Sequence, residues 1–349
     1  MTVATVPPPQ SADAIAVVTV NWNRWDLTLR CLEALRRSKG AAWRLVIVDN
    51  GSTDDSLQHL RGLGDDAILI ESPINGGWTG GNNLGVRAAL AAGYRHIFVL
   101  NNDAFVEPDT LRVLMEVKAE VGDAIIGPIH TDEFGQGLDY LGDTIDPTTG
   151  LSIPVSVDAA IPQILPRLIE TSAIKGAGIF IDASQFARLG FFDDRFYLNF
   201  DETDWCFRAR AAGFGLHMVT SAQIRHLGSA SIGGRHSPLQ TYFMTRNGLL
   251  FSEKHCTLKQ RWRLFREQFW DATARWSQRN PAMASQSNLK QRLGMIFSRD
   301  GHDAAYRLGV IHYLLRRFGD CPPIVRQWNR QAGAQPSIAM PAKAVAAPI

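Results

Sequence analysis

The chain has 349 residues, of which 45% are hydrophobic, so it can bury the core of one large domain or of two smaller ones. Its 36 basic and 34 acidic residues leave a formal net charge of +2, which argues against a nucleic-acid-binding protein because such proteins carry a larger, clustered basic excess. The four cysteines form no CxxC pair, so neither a zinc site nor a disulfide framework is predicted, and a reduced, cytoplasmic setting is expected.

The two ends of the chain differ in composition from the middle. Residues 1–13 have neither the basic region nor the apolar core of a signal peptide, and no apolar run approaches the ~20 residues that cross a bilayer. Residues 1–13 and 331–349 are rich in alanine, proline and small polar side chains. Both segments are therefore predicted to be disordered.

Between Ile15 and Gly127, short apolar runs alternate with amphipathic stretches. The predicted strands are "IAVVTV", "LVIV", "AILI", "HIFVL" and "AIIG", and helices are predicted near 26–38, 54–63, 80–92 and 107–120. Continuous apolar strands that alternate with helices predict a parallel sheet covered on both faces. Ligands of such sheets bind beyond the carboxyl ends of the strands, so the residues after each strand are the candidate site.

Polar segments follow each of the first four strands. They read "NWNRWD", "DNGSTDDS", "SPINGGWTGGNN" and "NND". One such loop is ordinary turn chemistry, but four in series predict one lip of a binding crevice. Asp49, at the end of the second strand, can accept hydrogen bonds from a nucleobase or ribose, or can simply form the turn.

The glycine-rich segment after the third strand is a second candidate for ligand contact. Gly80 and Gly81 let a backbone approach a ligand closely, and Asn82 and Asn83 can contact a base or a phosphate. No Gly-Lys-Ser/Thr follows, so the segment is not a P-loop, and its place after the third strand excludes the dinucleotide fingerprint.

Asp103 is the acid in the polar trio of "VLNNDAFVEPD". Hard divalent cations take oxygen ligands, often one or two carboxylates plus substrate phosphates, so this residue is a candidate metal ligand. The alternative is a helix-entry turn before Pro108. His226 follows a predicted short strand and can complete a metal or phosphate site, or serve a structural role.

The stretch "FDETDWCFRARAAGFG" places three carboxylates at the start of a predicted helix. Asp201 is the expected N-cap, and Asp204 takes the place of a capping-box acid and pairs with Arg208 four residues on. Glu202 has neither structural role. It is therefore the candidate for acid–base chemistry.

The remaining segments are less regular. Residues 128–175 predict a hairpin or lid, and residues 238–330 predict mostly helix. For "RWRLFREQFWDATARW" a helix packed on the catalytic domain is favoured over an interfacial membrane helix.

Seven motifs in order resemble those of family 2 glycosyltransferases, most of all bacterial rhamnosyltransferase-like members. They are "VVTVNWNR", "LVIVDNGSTDDS", "NGGWTGGNNLG", "VLNNDAFVEPD", "IKGAGIFIDASQFARLGFFDDRFYLNFDETDWCFRARAAGFG", "RHLGSAS" and "YFMTRNGLLF". The resemblance covers roughly residues 15–255.

The resemblance implies an α/β GT-A fold, with a Rossmann-like, mostly parallel central sheet and helices on both faces. The domain would span 14–255, with a nucleotide-sugar-binding half at 14–127 and an acceptor and catalytic half at 128–255. A helical C-terminal region would follow at 256–330. The resemblance also implies a nucleoside-diphosphate-sugar donor, Mg²⁺ or Mn²⁺, and inversion at the anomeric carbon.

Carried over by position, the resemblance also implies roles for single residues on the donor side. Asp49 would contact the base, while Val20 and Trp22 would line the nucleoside pocket. Asn101, Asn102 and Asp103 stand where the family has Asp-x-Asp. Asn101 can bind ribose but adds no charge to a metal, which leaves Asp103 as the main protein ligand and His226 as the second one.

Further roles fall on the diphosphate and the acceptor. Arg246 would bind the diphosphate, or would be a surface or helix-pairing arginine. Lys175, Gly176 and Gly178 match the acceptor side, although turn formation also explains the glycines. The family commonly carries Glu-Asp-x-Asp where this chain has Asp-Glu-Thr-Asp. Glu202 therefore inherits the position of the base, with Asp201 as the alternative.

The expected activity is inverting transfer of a sugar, with rhamnose as the expected donor sugar. The acceptor would be a saccharide or a polyprenyl-diphosphate-linked saccharide in cell-surface polysaccharide biosynthesis. The expected location is the cytoplasm, with the inner face of the cell membrane as an alternative reached through the C-terminal helices. Two rival functions are a catalytically silent sugar-nucleotide-binding scaffold and a nucleotidyltransferase, the latter requiring a basic glycine loop that "VNWNRWD" does not provide.

Overall fold

A computed structural model describes residues 6–64, 67–155, 159–160, 165–228, 237–279 and 288–333. Along residues 6–131 the elements are β1 (Ile15–Asn21), α1 (Trp25–Arg36), β2 (Trp43–Asn50), α2 (Ser56–Leu60), β3 (Ala67–Ser72), α3 (Gly77–Ala91), β4 (His96–Leu100), β5 (Ala104–Val106), α4 (Thr110–Val121) and β6 (Ile125–Thr131). The predicted alternation of strands and helices is confirmed in this part of the chain.

The second half begins with short strands and ends in helices. Its elements are β7 (Gly137–Tyr140), β8 (Asp143–Ile145), β9 (Ser152–Pro154), β10 (Ala159–Ala160), β11 (Leu168–Glu170), β12 (Gly178–Asp182), α5 (Ala183–Leu189), α6 (Asp201–Ala211), β13 (Leu216–His226), α7 (Pro238–His255), α8 (Leu258–Arg279), α9 (Asn288–Phe297), α10 (Gly301–Leu314) and α11 (Pro323–Gly333). The predicted hairpin region forms β7 to β9, of which β8 and β9 pair with each other.

The main sheet has the strand order β10-β7-β6-β12-β4-β1-β2-β3. Strands β4, β1, β2 and β3 are parallel, as predicted. Beyond β4 the sheet is mixed, because β12 runs antiparallel to both β4 and β6 while β13 runs parallel to β6.

Helices cover both faces of the sheet. Along β1, Ala16 and Val18 belong to one buried cluster, which includes side chains of α3, and Ile15 and Val17 belong to the other, which includes side chains of α1 and α4. Alternate residues of a strand point to opposite faces, so a continuous apolar run fills both clusters. This packing confirms the prediction of a doubly covered sheet.

The parallel register brings the carboxyl ends of the strands together. Asn21 pairs with Asp49, and Asn50 pairs with Ser72. The polar segments that follow these strands therefore meet at one edge, as expected for a ligand-binding crevice.

The C-terminal helices share a core with the sheet domain. Tyr242 of α7 and His312 of α10 bond through OH and Nδ1 at 2.8 Å. A buried cluster joins Tyr197 and Phe243 to Val325 of α11. The predicted boundary near residue 255 falls between α7 and α8, but the packing continues across it. Within the described ranges, no helix combines the length and the apolar character needed to span a bilayer.

The segment before β1 is partly packed. Val6 is 6% exposed and belongs to the same buried cluster as Ala14 and Tyr94. The prediction that residues 1–13 are disordered is therefore wrong at Val6, because its apolar side chain packs into a buried cluster of the sheet domain. Residues 1–5 and 334–349 of the predicted tails lie outside the described residues.

A buried carboxylate joins α6 to α7. Asp204 is fully buried, and its oxygens accept from Arg208 Nε at 3.0 Å and His255 Nε2 at 2.8 Å and pair with Lys254 Nζ at 2.5 Å. The predicted pair with Arg208 is confirmed. The capping box is not formed, because Phe200 is the N-cap residue and has no side-chain capping bond.

The fold should lose stability when the charge of Asp204 is removed. Burial opposes ionisation, but the His255 hydrogen bond and the charge of Lys254 hold the pKa of Asp204 below its usual value. This stabilisation is present above the unfolded-state pKa of about 3.9 and is lost as pH falls through the lower folded-state pKa. Asp204→Asn should cost about 3–5 kcal/mol at pH 7 in urea unfolding, and less at pH 3.

The control is Glu116→Gln, which removes an exposed partner of Arg112 and should change stability by less than about 1 kcal/mol. An Asp204→Asn loss of the same size at both pH values would show that the charge of this carboxylate is not what holds α6 to α7.

Candidate active site

A cavity of about 260 Å³ opens at the carboxyl ends of β1, β2 and β4. Predicted site residues in its wall are Val20, Trp22, Asn101, Asn102, Asp103 and His226. Further wall residues include the aromatic side chains Trp78, Tyr197 and Phe243 and the cationic side chains Arg24 and Arg326. The prediction that a ligand binds beyond the carboxyl ends of the strands therefore located the crevice. Residues from later elements complete its wall.

Asp103 and His226 come together through strand pairing. Asp103 directly precedes β5, and His226, the last residue of β13, pairs with Ala104 of β5. Asp103 Oδ1 lies 3.5 Å from His226 Nε2, and the two side chains are 9% and 14% exposed. A carboxylate oxygen beside an imidazole nitrogen suits a divalent cation, so these residues fit the metal that the sequence motifs imply.

The two asparagines before Asp103 have partners within the protein. Asn101 Oδ1 accepts from Trp78 Nε1 at 2.8 Å, and Asn102 Nδ2 donates to Thr28 Oγ1 at 3.1 Å. Asn101 therefore orients Trp78 in the cavity wall. Its predicted bond to ribose stays a prediction.

Asp49 is fully buried and does not belong to the cavity lining. Its Oδ1 accepts from Asn21 Nδ2 at 3.0 Å and Ser52 Oγ at 2.5 Å, and its Oδ2 accepts from the Ser52 N–H at 3.1 Å. The carboxylate thus fastens the loop after β2 to the end of β1. Its contact with a base stays a prediction.

The glycines predicted for ligand contact lie in a helix. Gly80 and Gly81 belong to α3, and a Cβ on Gly81 would lie 2.8 Å from both methyl carbons of Val20. Neither glycine lines the cavity. Gly81 therefore allows α3 to pack closely on β1, a role that the sequence reasoning missed.

Asn82 and Asn83 are also used within the protein. Asn82 Nδ2 donates to the Trp78 carbonyl at 2.9 Å. Asn83 Nδ2 donates to the Phe192 carbonyl at 2.9 Å and to Asp194 at 2.7 Å, while its Oδ1 accepts from the Phe192 N–H at 3.1 Å. Both side chains are less than 5% exposed and neither lines the cavity, so their amide groups serve the fold, and their contact with a base or a phosphate stays a prediction.

Arg246 is fully buried and does not line the cavity. Its guanidinium donates to the Tyr242 hydroxyl at 3.2 Å, the Asn247 side chain at 2.9 Å and the Phe196 carbonyl at 3.1 Å. Its donors hold the chain that precedes α6, and its contact with a diphosphate stays a prediction. The sequence offered a signal in the polar pair Arg246-Asn247, which directly precedes the apolar run 248–251 of α7.

Asn247 completes this contact. Its Nδ2 donates to the carbonyls of Phe196 at 2.8 Å, Leu198 at 2.7 Å and Asn199 at 3.1 Å. Within the same segment Tyr197, Asn199 and Phe200 have φ between 66° and 69°, a left-handed conformation that non-glycine residues seldom adopt. The side chains of α7 thus impose the backbone that carries Tyr197 into the cavity wall and begins α6.

Asp201 and Glu202 are neighbouring carboxyl groups in the first turn of α6. Asp201 is 2% exposed and accepts from Thr79 Oγ1 at 2.8 Å. Burial of the carboxyl and then the charge of Asp201 raise the pKa of Glu202 well above its usual value, although the Gly176 N–H also donates to it. Asp201 is the first helical residue and not the predicted N-cap.

The predicted acceptor-side residues divide into two groups. Gly176 lies against Trp78, since a Cβ there would be 2.3 Å from the indole, and Lys175 Nζ lies 4.2 Å from the Tyr140 ring centroid. Gly178 is in β12, and a Cβ there would meet Ile224 at 2.8 Å. Gly176 and Glu202 therefore adjoin the cavity wall through Trp78, whereas Gly178 serves sheet packing.

Two arginines of the cavity wall were missed by sequence reasoning. Arg24 lies in the polar segment after β1, which was a usable signal. Arg326 lies in α11, where no neighbouring residue in the sequence indicates a ligand-binding role. Its Nη2 donates to the Tyr197 hydroxyl at 3.1 Å and to Asp320 at 2.5 Å, and its guanidinium carbon lies 5.8 Å from the Trp22 ring centroid.

Residues 16–173 match the profile described as Glycosyl transferase family 2. The chain therefore contains a family 2 glycosyltransferase domain, which confirms the prediction from its motifs. The fold is GT-A, a mixed sheet with helices on both sides and C-terminal helices.

Two relatives of this chain are described as sugar transferases, which agrees with the family match. The "Low-salt glycan biosynthesis hexosyltransferase Agl10" of Haloferax volcanii is 26% identical over 241 residues, which cover 69% of this chain and 76% of the relative. The "dTDP-rhamnosyl transferase RfbF" of Shigella flexneri is 22% identical over 218 residues, which cover 60% of this chain and 71% of the relative.

A similar solved structure is that of GalNAc-T7, crystallised with UDP, GalNAc and Mn²⁺. It has a TM-score of 0.51 and 15% identity, and the match covers 76% of this chain. This chain spans only 58% of the length of that one. The likeness supports the fold.

Neutralising Glu202 should change how stability depends on pH. Because its folded-state pKa is raised, the stability that its protonated carboxyl contributes is present below the unfolded-state pKa of about 4.3 and is lost as pH rises through the folded-state pKa. Glutamine stays neutral, so Glu202→Gln should have the higher melting temperature at pH 8 and the same one at pH 4. Thermal unfolding across this range measures the difference.

The exposed Glu133 provides the control, since Glu133→Gln should follow the wild-type profile at every pH. Parallel profiles for the wild type and Glu202→Gln would contradict the raised pKa.

Proposed function

We propose that this protein is an inverting glycosyltransferase that transfers a sugar from a nucleoside diphosphate to a saccharide or lipid-linked saccharide. The observation that carries this proposal is the single cavity in which aromatic side chains, two arginines and the pair Asp103–His226 converge. The descriptions of the hexosyltransferase and dTDP-rhamnosyl transferase relatives support it. We take rhamnose as the donor sugar and cell-surface polysaccharide as the product.

The cavity wall suits a nucleoside diphosphate. Trp22 and Trp78 offer flat apolar surfaces to a base or sugar ring. Arg24 and Arg326 bring guanidinium groups, whose planar donors match phosphate oxygens. Among the described residues of the wall, Asp103 is the carboxylate and Arg24 and Arg326 are the cations. Each arginine also pairs with an acid outside the wall, Asp26 or Asp320.

Asp103 and His226 would hold the divalent cation, Mg²⁺ or Mn²⁺. When bound, that cation would stabilise the negative charge on the departing nucleoside diphosphate. With Asn101 in place of a second acid, the protein itself supplies a single negative charge in the wall. Cation affinity should therefore depend on the diphosphate.

The base in the proposed reaction is Glu202. Its carboxylate takes the proton of the acceptor hydroxyl while the acceptor oxygen bonds to the anomeric carbon and the bond from that carbon to the diphosphate breaks. A carboxylate with a raised pKa is a stronger base once ionised, which suits proton transfer near neutral pH. Asp201, held by Thr79, positions Glu202 and is the alternative base.

The C-terminal helices are proposed to touch the inner face of the cell membrane. Leu258 and Trp262 of α8 are 78% and 67% exposed, and Phe297 of α9 is 77% exposed. Basic side chains at 259, 261, 263 and 266 accompany those of α8. Exposed aromatic and basic side chains together favour an anionic lipid surface, where a lipid-linked acceptor would be found.

The function is tested with a panel of nucleoside-diphosphate sugars, with and without Mg²⁺ or Mn²⁺. The wild type should bind at least one donor and hydrolyse it slowly in the absence of acceptor. Glu202→Gln should retain donor binding and lose about 100-fold or more in turnover, because the proton has no acceptor. Asp201→Asn should lose less.

Three results would contradict these expectations. Binding to none of the donors would remove the proposed function, and binding without any turnover would favour the silent scaffold. An active Glu202→Gln beside an inactive Asp201→Asn would transfer the role of base to Asp201.

Arg326 should contribute to donor affinity although it lies in the last helix of the described chain. Arg326→Ala should weaken binding of dTDP or UDP about tenfold or more, since a hydrogen bond to a charged group contributes about 1.5–3 kcal/mol. Arg330→Ala, four residues further along α11 and exposed, is the matched control and should bind like the wild type. Isothermal titration with equal losses in both variants would show that the effect is not local to the cavity.

A further inference from the structure

A histidine beside the candidate active site has no partner for either ring nitrogen. His130 is fully buried, and within the described part of the chain neither Nδ1 nor Nε2 makes a hydrogen bond. Buried polar atoms are nearly always satisfied, so an orphaned pair in one ring calls for a ligand or an ion. The ring lies 4.7 Å from that of Tyr140 and 5.6 Å from that of His226.

Two further ligand atoms lie close to this ring. His130, Asp139 and His226 each offer one nitrogen or carboxylate oxygen, and these three atoms lie within 4.8 Å of one another. Metal–nitrogen and metal–oxygen bonds are about 2.0–2.2 Å, so modest side-chain rotation would bring all three around one ion. Asp139 and His226 are only partly buried, which leaves an ion a path to the set.

These three residues lie in three neighbouring strands of the main sheet. His130 is in β6, Asp139 is in β7 and His226 ends β13, and β6 pairs with both of the other strands. The register between β6 and β7 shifts between His130 and Thr131. Bulges of this kind re-aim side chains beside active sites, so the register shift accounts for the approach of Asp139 to His130.

We propose that His130, Asp139 and His226 bind one divalent transition-metal ion. Two imidazoles and one carboxylate suit Mn²⁺, Co²⁺ or Zn²⁺ better than Mg²⁺, which prefers oxygen ligands throughout. Burial keeps the His130 imidazole neutral by lowering its pKa, and a neutral imidazole is the form that binds metal.

The site adds metal ligands to those that the family motif supplies. His226 belongs both to this set and to its pair with Asp103. An ion at this site would therefore lie beside the donor cavity, where Asn101 supplies no charge. This last consequence rests on the proposed glycosyl transfer, whereas metal binding by the three side chains does not.

The test is a titration of the full chain with Co²⁺ alone, without nucleotide or acceptor, followed by visible absorption and equilibrium dialysis. The wild type should bind one Co²⁺ with an absorption band typical of nitrogen and oxygen ligands. His130→Gln and Asp139→Asn should each weaken binding at least tenfold and alter the band.

His59→Gln is the matched control, because His59 forms an exposed pair with Asp55 far from this cluster and should bind Co²⁺ like the wild type. Far-UV circular dichroism checks the fold of each variant. If His130→Gln fails to fold, the partly exposed Asp139 decides the result through Asp139→Asn.

Two outcomes would overturn the proposal. One is a wild type that binds no Co²⁺, and the other is Co²⁺ binding that Asp139→Asn leaves unchanged in affinity and in absorption band. Since no sugar nucleotide is present, neither outcome bears on glycosyl transfer, and an inactive enzyme that still binds Co²⁺ would refute the function while leaving this site in place.

Discussion

The candidate active site depends on one buried contact, in which Arg246 and Asn247 hold the carbonyl groups of residues 195, 196, 198 and 199. These bonds impose a left-handed backbone that places Tyr197 in the cavity wall and starts α6 at the paired carboxyls. Burying a guanidinium is costly unless its donors are satisfied, and here carbonyls and two aromatic rings surround it. Without this contact, we expect residues 197–200 to leave the left-handed conformation. Tyr197 and the two carboxyl groups at the start of α6 would then shift relative to the rest of the cavity wall.

Four acidic side chains that the sequence singled out have different roles, because the groups around them in the folded protein differ. Asp49 and Asp204 are fully buried and accept several hydrogen bonds, so they serve the structure. Asp103 opens into a cavity that contains arginines and histidine, which suits an anionic donor with a cation. Glu202 lies beside another carboxyl and has its pKa raised by burial, which suits a base. Trp78 lines the cavity and also lies against Gly176, whose N–H donates to Glu202.

The family match ends at residue 173, yet the cavity does not. Tyr197, His226 and Arg326 all follow that point and come from three different elements. The matched residues thus supply the strand ends on one side of the cavity, whereas side chains that follow residue 173 complete its wall.

The sequence by itself determined the alternation of strands and helices between Ile15 and Gly127 and the edge of the sheet at which the crevice opens. The trio 101–103 followed from that rule, because apolar periodicity is a local property of the chain, whereas Val20 and Trp22 came from the family resemblance. The resemblance added His226. Only the tertiary structure decided that Arg326, not Arg246, reaches the cavity, that Gly81 serves packing and that burial raises the pKa of Glu202. Each of these depends on burial against segments far away in sequence, and a side chain's environment cannot be read from its own neighbours.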